Sequence, residues 1–298
     1  MPPRGAGLPD MPLKNDTFGL TRHWLSVALR RLPEHPDLFA KKNLSLARKA
    51  FLAGDNQLTA IKNWLSCAHV IDIGRGNAAL TDLGKLMAAK DPNADQAWTW
   101  WLFHLHLCAN SDSFPYATFF TKNDAEGTTW VSFDQIVATL VQDRKAAGNE
   151  LSEATVQQYF EGVERTLRAG QRIHSLGLVE RRTVPGEEER KRFRRCLAAP
   201  ADIVVAYATL LFHDSYFRDH DTVETRGLLE KGLGKSLGVR DAQLRDALDR
   251  VHQHPDLCTF LQFRHAVNLD SVQFLKSGDP ALRPIRMQAY TSEEVRWP

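Results

Sequence analysis

The segment from Arg181 to Arg195 concentrates charge. It holds seven cations, Arg181, Arg182, Arg190, Lys191, Arg192, Arg194 and Arg195, against three anions, Glu187, Glu188 and Glu189. Phosphate is the natural partner of such a run, because a guanidinium presents paired N–H donors that match two phosphate oxygens. The segment is +4 in a chain of formal net charge +2, so the remainder carries −2. The chain is therefore not a general polybasic binder, and any affinity for a polyanion must come from a local patch. Side chains alternate along a strand, which predicts Arg192 and Arg194 on one face and Phe193 and Arg195 on the other. The DNA-binding set read from this pattern is Arg181, Arg182, Lys191, Arg192, Arg194 and Arg195. The competing reading is a solvated hairpin whose Glu run neutralises its own Arg run.

Other reactive residue types are sparse. His213-Asp214 and Asp219-His220-Asp221 form the one dense His/carboxylate cluster; it suits a divalent ion, and it equally suits a polar helix end running into a loop. His104 and His106 sit about 200° apart on a helix and cannot chelate one ion together. There is no Gly-rich phosphate loop, GxSxG elbow or HExxH. Glu189-Arg190-Lys191 has the Glu-x-Lys shape of a restriction-type nuclease core, but no Asp lies between Ser152 and Val179 to partner it. Cys67, Cys108, Cys196 and Cys258 are too far apart for a zinc or redox motif and read as free thiols of a reducing compartment. No apolar run approaches the roughly 20 residues of a membrane helix, and Pro2, Pro3, Arg4 and Gly5 carry no apolar signal region, so a soluble cytoplasmic protein is expected.

The elements that must position these residues are mostly helical. The 298 residues are 43% hydrophobic, enough for a substantial core, which excludes disorder as a description of the whole. Residues 1–14 read as a flexible arm. Leu58, Ile61, Leu65 and Ala68 share a helix face with Asp55 as N-cap. Val70 to Ile73, the Gly74-Arg75-Gly76-Asn77 turn and Ala79-Leu80 follow as a small hairpin, and Thr81 caps a helix over 82–89. This is a winged-helix outline over about 41–90, within an N-terminal domain of residues 15–130. Residues 96–109 are apolar on every side, which predicts a central helix. Asn110 to Trp130 read as an irregular link. In 131–200 the outline recurs: Ser152 caps a helix with Val156, Tyr159, Phe160, Val163 and Leu167 inward, then strands over 178–183 and 193–197 flank a Pro185-Gly186 turn. Gln157, Gln158, Arg165 and Arg168 here, and Asn56, Gln57, Lys62 and Asn63 in the first unit, are polar helix positions that suit base or phosphate contact and also suit an ordinary surface. A buried helix to about Phe217 opens the C-terminal helical domain, 201–298, in which 258–261 and 272–275 are short strands of a weaker third unit. The fold class expected is mainly α, with two or three winged-helix-like units around a buried aromatic-rich helix.

A family resemblance runs through both ends of the chain. Asp16-Thr17-Phe18-Gly19-Leu20-Thr21-Arg22-His23-Trp24-Leu25 resembles the opening signature of a bacterial family long labelled a domain of unknown function: His-Glu-Thr-Phe, an Arg, then Trp-Leu. Ile61, Trp64 and Leu65 match its Ile-x-x-Trp-Leu helix, and Leu80-Thr81-Asp82-Leu83-Gly84 its Leu-Thr-x-x-Gly. Asp91-Pro92 with Trp98 to His104 matches its Asp-Pro … Leu-Trp-x-x-His. Phe263-Arg264-His265-Ala266-Val267-Asn268-Leu269-Asp270 is similar to its closing Tyr-Arg-x-Thr-Ala-Gly-Leu-Asp. Asn15-Asp16 replaces His-Glu, and Val267-Asn268 replaces Ala-Gly.

The family travels with bacterial DNA phosphorothioation genes, whose products replace a non-bridging phosphate oxygen with sulfur. The resemblance implies a component that nicks or engages DNA, acting beside a cysteine desulfurase, a sulfur-transfer enzyme and an ATPase. A nickase would use Mg²⁺ or Mn²⁺ to activate water; its ligands are not legible. Matched positions offer Arg22, His104, Arg264 and Asp270 as catalytic candidates, with Asp16 weaker. Arg22 and Arg264 also fit a structural bridging role. The rival class is a non-catalytic winged-helix DNA-binding or scaffold protein. A transcriptional regulator ranks last, since no heptad helix for dimerisation is present.

Overall fold

A computed structural model of the chain describes residues 14–74, 77–122, 129–183, 191–265 and 269–297. The arm over 1–13, the Pro185-Gly186 turn, Glu187 to Arg190 and Ala266 to Asn268 lie outside the described residues.

The first third is α1 (Arg22–Arg31), α2 (Leu44–Phe51), α3 (Asp55–Cys67), β1 (Ile71–Ile73), β2 (Ala78–Leu80) and α4 (Asp82–Lys90). β1 and β2 are antiparallel, with Ile71 opposite Leu80. Thr21 and Thr81 cap α1 and α4 by accepting from the backbone N–H three residues on. Asp55 is not the cap of α3. Gly54 holds that place, and Asp55 is the first helical residue, where its carboxylate accepts from Arg48 at 2.6 Å and complements the helix dipole.

α5 (Ala97–Cys108) is buried along its whole length, as an all-round apolar helix must be. Asp91 organises its start, accepting from Asp95 N, Gln96 N and Thr99 Oγ1. The expected irregular link after it instead contains α6 (Tyr116–Lys122). Tyr116, Phe119 and Phe120 recur at three- and four-residue spacing, which is a helix face packed under α5.

Next come β3 (Val131–Ser132), α7 (Phe133–Ala146), α8 (Glu153–Thr166), β4 (Val179–Thr183) and β5 (Lys191–Arg195), with sheet order β3-β5-β4. The return strand runs over 191–195, not 193–197. Phe193 reaches the aromatic core at Phe160 and Phe119, which pins the register, while Leu197 is left exposed.

The last third is α9 (Asp202–Tyr216), β6 (Thr222–Glu224), α10 (Thr225–Glu230), α11 (Leu233–Leu237), α12 (Asp241–Gln253), β7 (Leu261–Arg264), β8 (Ser271–Phe274) and α13 (Asp279–Ala289). Its sheet order is β6-β8-β7. Cys258 belongs to a short 3-10 turn rather than to a strand. α9 packs against α5, α12 and α13, and the Trp98 indole donates to the Arg286 carbonyl, so two buried helices centre the molecule. Buried apolar residues from all three thirds form one contiguous cluster. No helix among the described residues is long and apolar enough to cross a membrane.

Candidate nucleic-acid interface

The β4–β5 hairpin is positioned by its inner face. Arg181 stands opposite Phe193 and Thr183 opposite Lys191; Arg181 and Lys191 meet Glu164 and Phe193 meets Phe160, both on α8, while Arg195 on the same face reaches Phe120 of α6. The predicted alternation holds: Phe193 and Arg195 are buried, and Arg192 and Arg194 lie on the other face.

Glu164 of α8 is the centre of the inner face, with a side chain only 1% exposed. Arg168 Nη2 lies 2.9 Å from its Oε2, Arg181 Nε 2.6 Å from its Oε1, and Lys191 Nζ 3.7 Å from its Oε2. Burial alone would raise the Glu164 carboxyl; the Arg168 hydrogen bond and the charges of Lys191 and Arg181 outweigh it and hold the group below its ordinary value. Three cations around one carboxylate leave a formal +2. Arg168, Arg181, Thr183 and Lys191 line an open cleft of about 370 Å³ beside it.

The outer face has its own core in Trp130. The guanidinium carbons of Arg182 and Arg194 lie 4.1 and 5.0 Å from its ring centre, a cation–π arrangement that fixes two arginines in place. Arg194 also pairs with Glu180 at 2.5 Å across the strands. Arg182 is exposed, with its charge directed at no carboxylate among the described residues.

Arg195 leaves the predicted DNA-binding set. It is 7% exposed, its Nη1 donates to the Phe120 carbonyl at 2.6 Å, and it lies over the Phe120 ring. Burial pushes its pKa down to about 10. It is a structural cation because the inward-facing parity of Phe193 carries it into the core. Arg181 is mainly committed to Glu164, which narrows the surface set to Arg182, Lys191, Arg192 and Arg194, joined by Arg168.

The four catalytic candidates are not brought together. Arg22 donates to Asn93 O and pairs with Asp95, which also pairs with Arg172; it bridges α1 to the loop before α5. His104 is fully buried, its ring nitrogens bonded to the Tyr116 hydroxyl and the Ser236 carbonyl at 2.8 Å each. That makes it a core histidine rather than a group presented to a substrate. Arg264 is exposed at the end of β7. Asp270 pairs with Arg245 at 2.9 Å and with His265 at 3.1 Å, and the other His265 nitrogen lies 3.4 Å from Asp249. Asn15 is buried and donates to the Tyr159 carbonyl, docking the segment before α1 on α8, while Asp16 beside it is half-buried in a turn.

The metal expectation finds no matching donor set. Among the described residues no group of three or more His, Cys, Asp or Glu is arranged to hold an ion. In the His213–Asp221 cluster, His213 is buried, stacks on Phe274 and bonds the His220 carbonyl, and Asp214 is taken by Arg218. The polar helix positions divide likewise. Gln57 closes the start of α3, Asn63 holds the Lys14 carbonyl, and Arg165 lies over Phe18, whereas Gln157 and Gln158 are exposed.

Glu164, Thr183 and Trp130 were not singled out by sequence reasoning. Glu164 and Arg168 are an i,i+4 pair, which is a visible signal. The convergence of that pair with Arg181 and Lys191 depends on hairpin docking and has no local signature.

Two solved structures of SspB, one of them magnesium-bound, share this fold with TM-scores of 0.72 and 0.71. Each is 16% identical, and the match covers 94% of this chain and 88% of SspB. No curated protein matches the chain. A family profile described as "Protein of unknown function (DUF4007)" matches residues 14–283. With nearly its whole length matched, the chain belongs to the DUF4007 family.

Proposed function

We propose that this protein engages the DNA backbone as a component of a bacterial DNA phosphorothioation system, with its β4–β5 hairpin laid along the phosphates. The observation that carries the reading is the cation excess on both faces of that hairpin: Arg168, Arg181 and Lys191 surround Glu164 on the inner face, and on the outer face Glu180 pairs with Arg194 while Arg182 stands beside them over Trp130. Salt bridging absorbs part of the charge and leaves Arg182, Lys191 and Arg168 with capacity for an anion. The resemblance in the signature residues and the likeness in fold to SspB support the system assignment. The helix-and-hairpin units act in this reading as winged-helix modules. The other members of the system, a cysteine desulfurase, a sulfur-transfer enzyme and an ATPase, are the partners it would meet.

Two activities fit that place. One is nicking, with Mg²⁺ or Mn²⁺ supplied from solution; the other is gripping DNA without cutting it. Supercoiled plasmid incubated with the purified protein separates them. Conversion to open circle that depends on Mg²⁺ or Mn²⁺ and is lost in Asp270→Ala would establish the nickase and the role of Asp270. No conversion with either ion, in a preparation that retards the same plasmid on a gel, would establish the binding module.

A further inference from the structure

We infer that the cleft between α8 and the β4–β5 hairpin is a seat for one phosphoryl group of a nucleic-acid backbone. Glu164 acts there as a positioning carboxylate, and Arg168, Lys191 and Thr183 meet the anion. The inference rests on the DNA reading and adds residues that the basic hairpin alone does not contain.

A carboxylate offers about four lone-pair positions, whereas two guanidiniums and an ammonium bring about thirteen N–H donors. Glu164 is buried and satisfies only a few of them. Lys191 stands 3.7 Å away, an ion pair beyond hydrogen-bond range, and its ammonium lies 5.5 Å from the Phe133 ring centre, so among the described residues no carboxylate holds its hydrogens at bonding distance. Thr183, directly opposite Lys191 in the ladder, adds a hydroxyl at the mouth. The cleft of about 370 Å³ is open to solvent and far exceeds the roughly 30 Å³ of one water. Buried carboxylate behind and cations in front is an arrangement that fixes long side chains before the anion arrives, which reduces the entropy cost of binding.

The test uses the full-length protein with inorganic phosphate as the first probe and a labelled DNA duplex as the second. Thermal melts in phosphate and in chloride are compared at equal ionic strength. The expected result is a phosphate-specific rise in Tm of about 2–4 °C for the native chain. The rise should vanish in Arg168→Gln/Lys191→Gln, whose side chains are 47% and 27% exposed and can be changed without opening the core. Glu164→Gln should show a larger phosphate rise than the native protein, because the anion then replaces the missing counter-charge. On the duplex, Arg168→Gln/Lys191→Gln should bind about tenfold more weakly. Absence of a phosphate-specific shift in the native protein, or an equal shift in Arg168→Gln/Lys191→Gln, overturns the seat. Loss of the phosphate shift with unchanged duplex affinity overturns the backbone assignment in favour of a free or terminal phosphate. A native protein that shows the phosphate shift and binds no duplex sinks the DNA reading and leaves the phosphate seat standing.

Discussion

Gly84→Ala is expected to destabilise the protein by about 3 kcal/mol, at the upper end of overpacking penalties. A Cβ at position 84 would lie 2.1 Å from the Val70 carbonyl oxygen, a backbone atom that cannot swing aside. The approach is held from both sides. Thr81 donates its hydroxyl to the His69 carbonyl at 2.5 Å and accepts from Gly84 N at 3.0 Å, while Thr81 N donates to Val70 O at 3.1 Å. Relief would require α4 to lift from the His69-Val70 segment that joins α3 to β1, breaking these bonds together. Gly74→Ala is the control, since nothing lies within 4 Å of its Cβ position, and it should change stability by less than about 0.5 kcal/mol. Urea unfolding of both variants checks the pair; equal midpoints would refute the packing account.

This case also explains what the Leu-Thr-x-x-Gly signature records. It is a statement about how a helix closes on a hairpin, not about chemistry. The same holds for Asp91, whose carboxylate organises the start of α5, and for Trp64, whose indole donates to the Phe18 carbonyl. α3 and α8 were legible because burial repeats every three to four residues along them, and α5 and α9 because their runs are apolar on every side. The helix over 116–122 was missed because turn residues on either side diluted a pattern only seven residues long. The hairpin cations were legible as composition. Their division into a buried Arg195, a Glu164 cluster and a Trp130 stack was not, because it depends on which face of the strand meets a distant helix.

Lowering the pH from 7.5 to 4.5 should remove about 3 kcal/mol of stability through His104 alone. Burial, with a smaller push from Arg195, outweighs the bond to the Ser236 carbonyl and lowers its pKa from 6.5 to about 4. The unfolded chain takes up this proton near 6.5, and the folded chain refuses it until about 4. The unfolded state therefore binds more protons across that window, and stability present above pH 6.5 is lost as pH falls towards 4. His106, bonded to the Tyr207 hydroxyl at 2.7 Å, is also held well below its ordinary value by burial and adds loss of the same sign. Glu164 contributes in a lower window: its depressed carboxyl stabilises above 4.5 and ceases to do so as pH falls through its folded value. Urea midpoints across this range should fall steadily with an unchanged denaturant slope. His104→Gln should give a shallower profile whatever its absolute stability, and a flat native profile between pH 7 and 5 would contradict a neutral buried His104.

If the docked cationic hairpin grips phosphate, a salt titration of duplex binding will show it. The variant is Arg182→Gln/Lys191→Gln/Arg194→Gln, which spares Arg195 and with it the core. Fluorescence anisotropy with a labelled duplex gives log affinity against log salt for the native and triple-variant proteins. Each lost phosphate contact should flatten the slope by about 0.9, so a reduction of about 2 to 3 is expected, for every duplex sequence alike. An unchanged slope, in a variant with the native circular dichroism spectrum, would mean that these side chains serve only their internal partners, Trp130, Glu164 and Glu180.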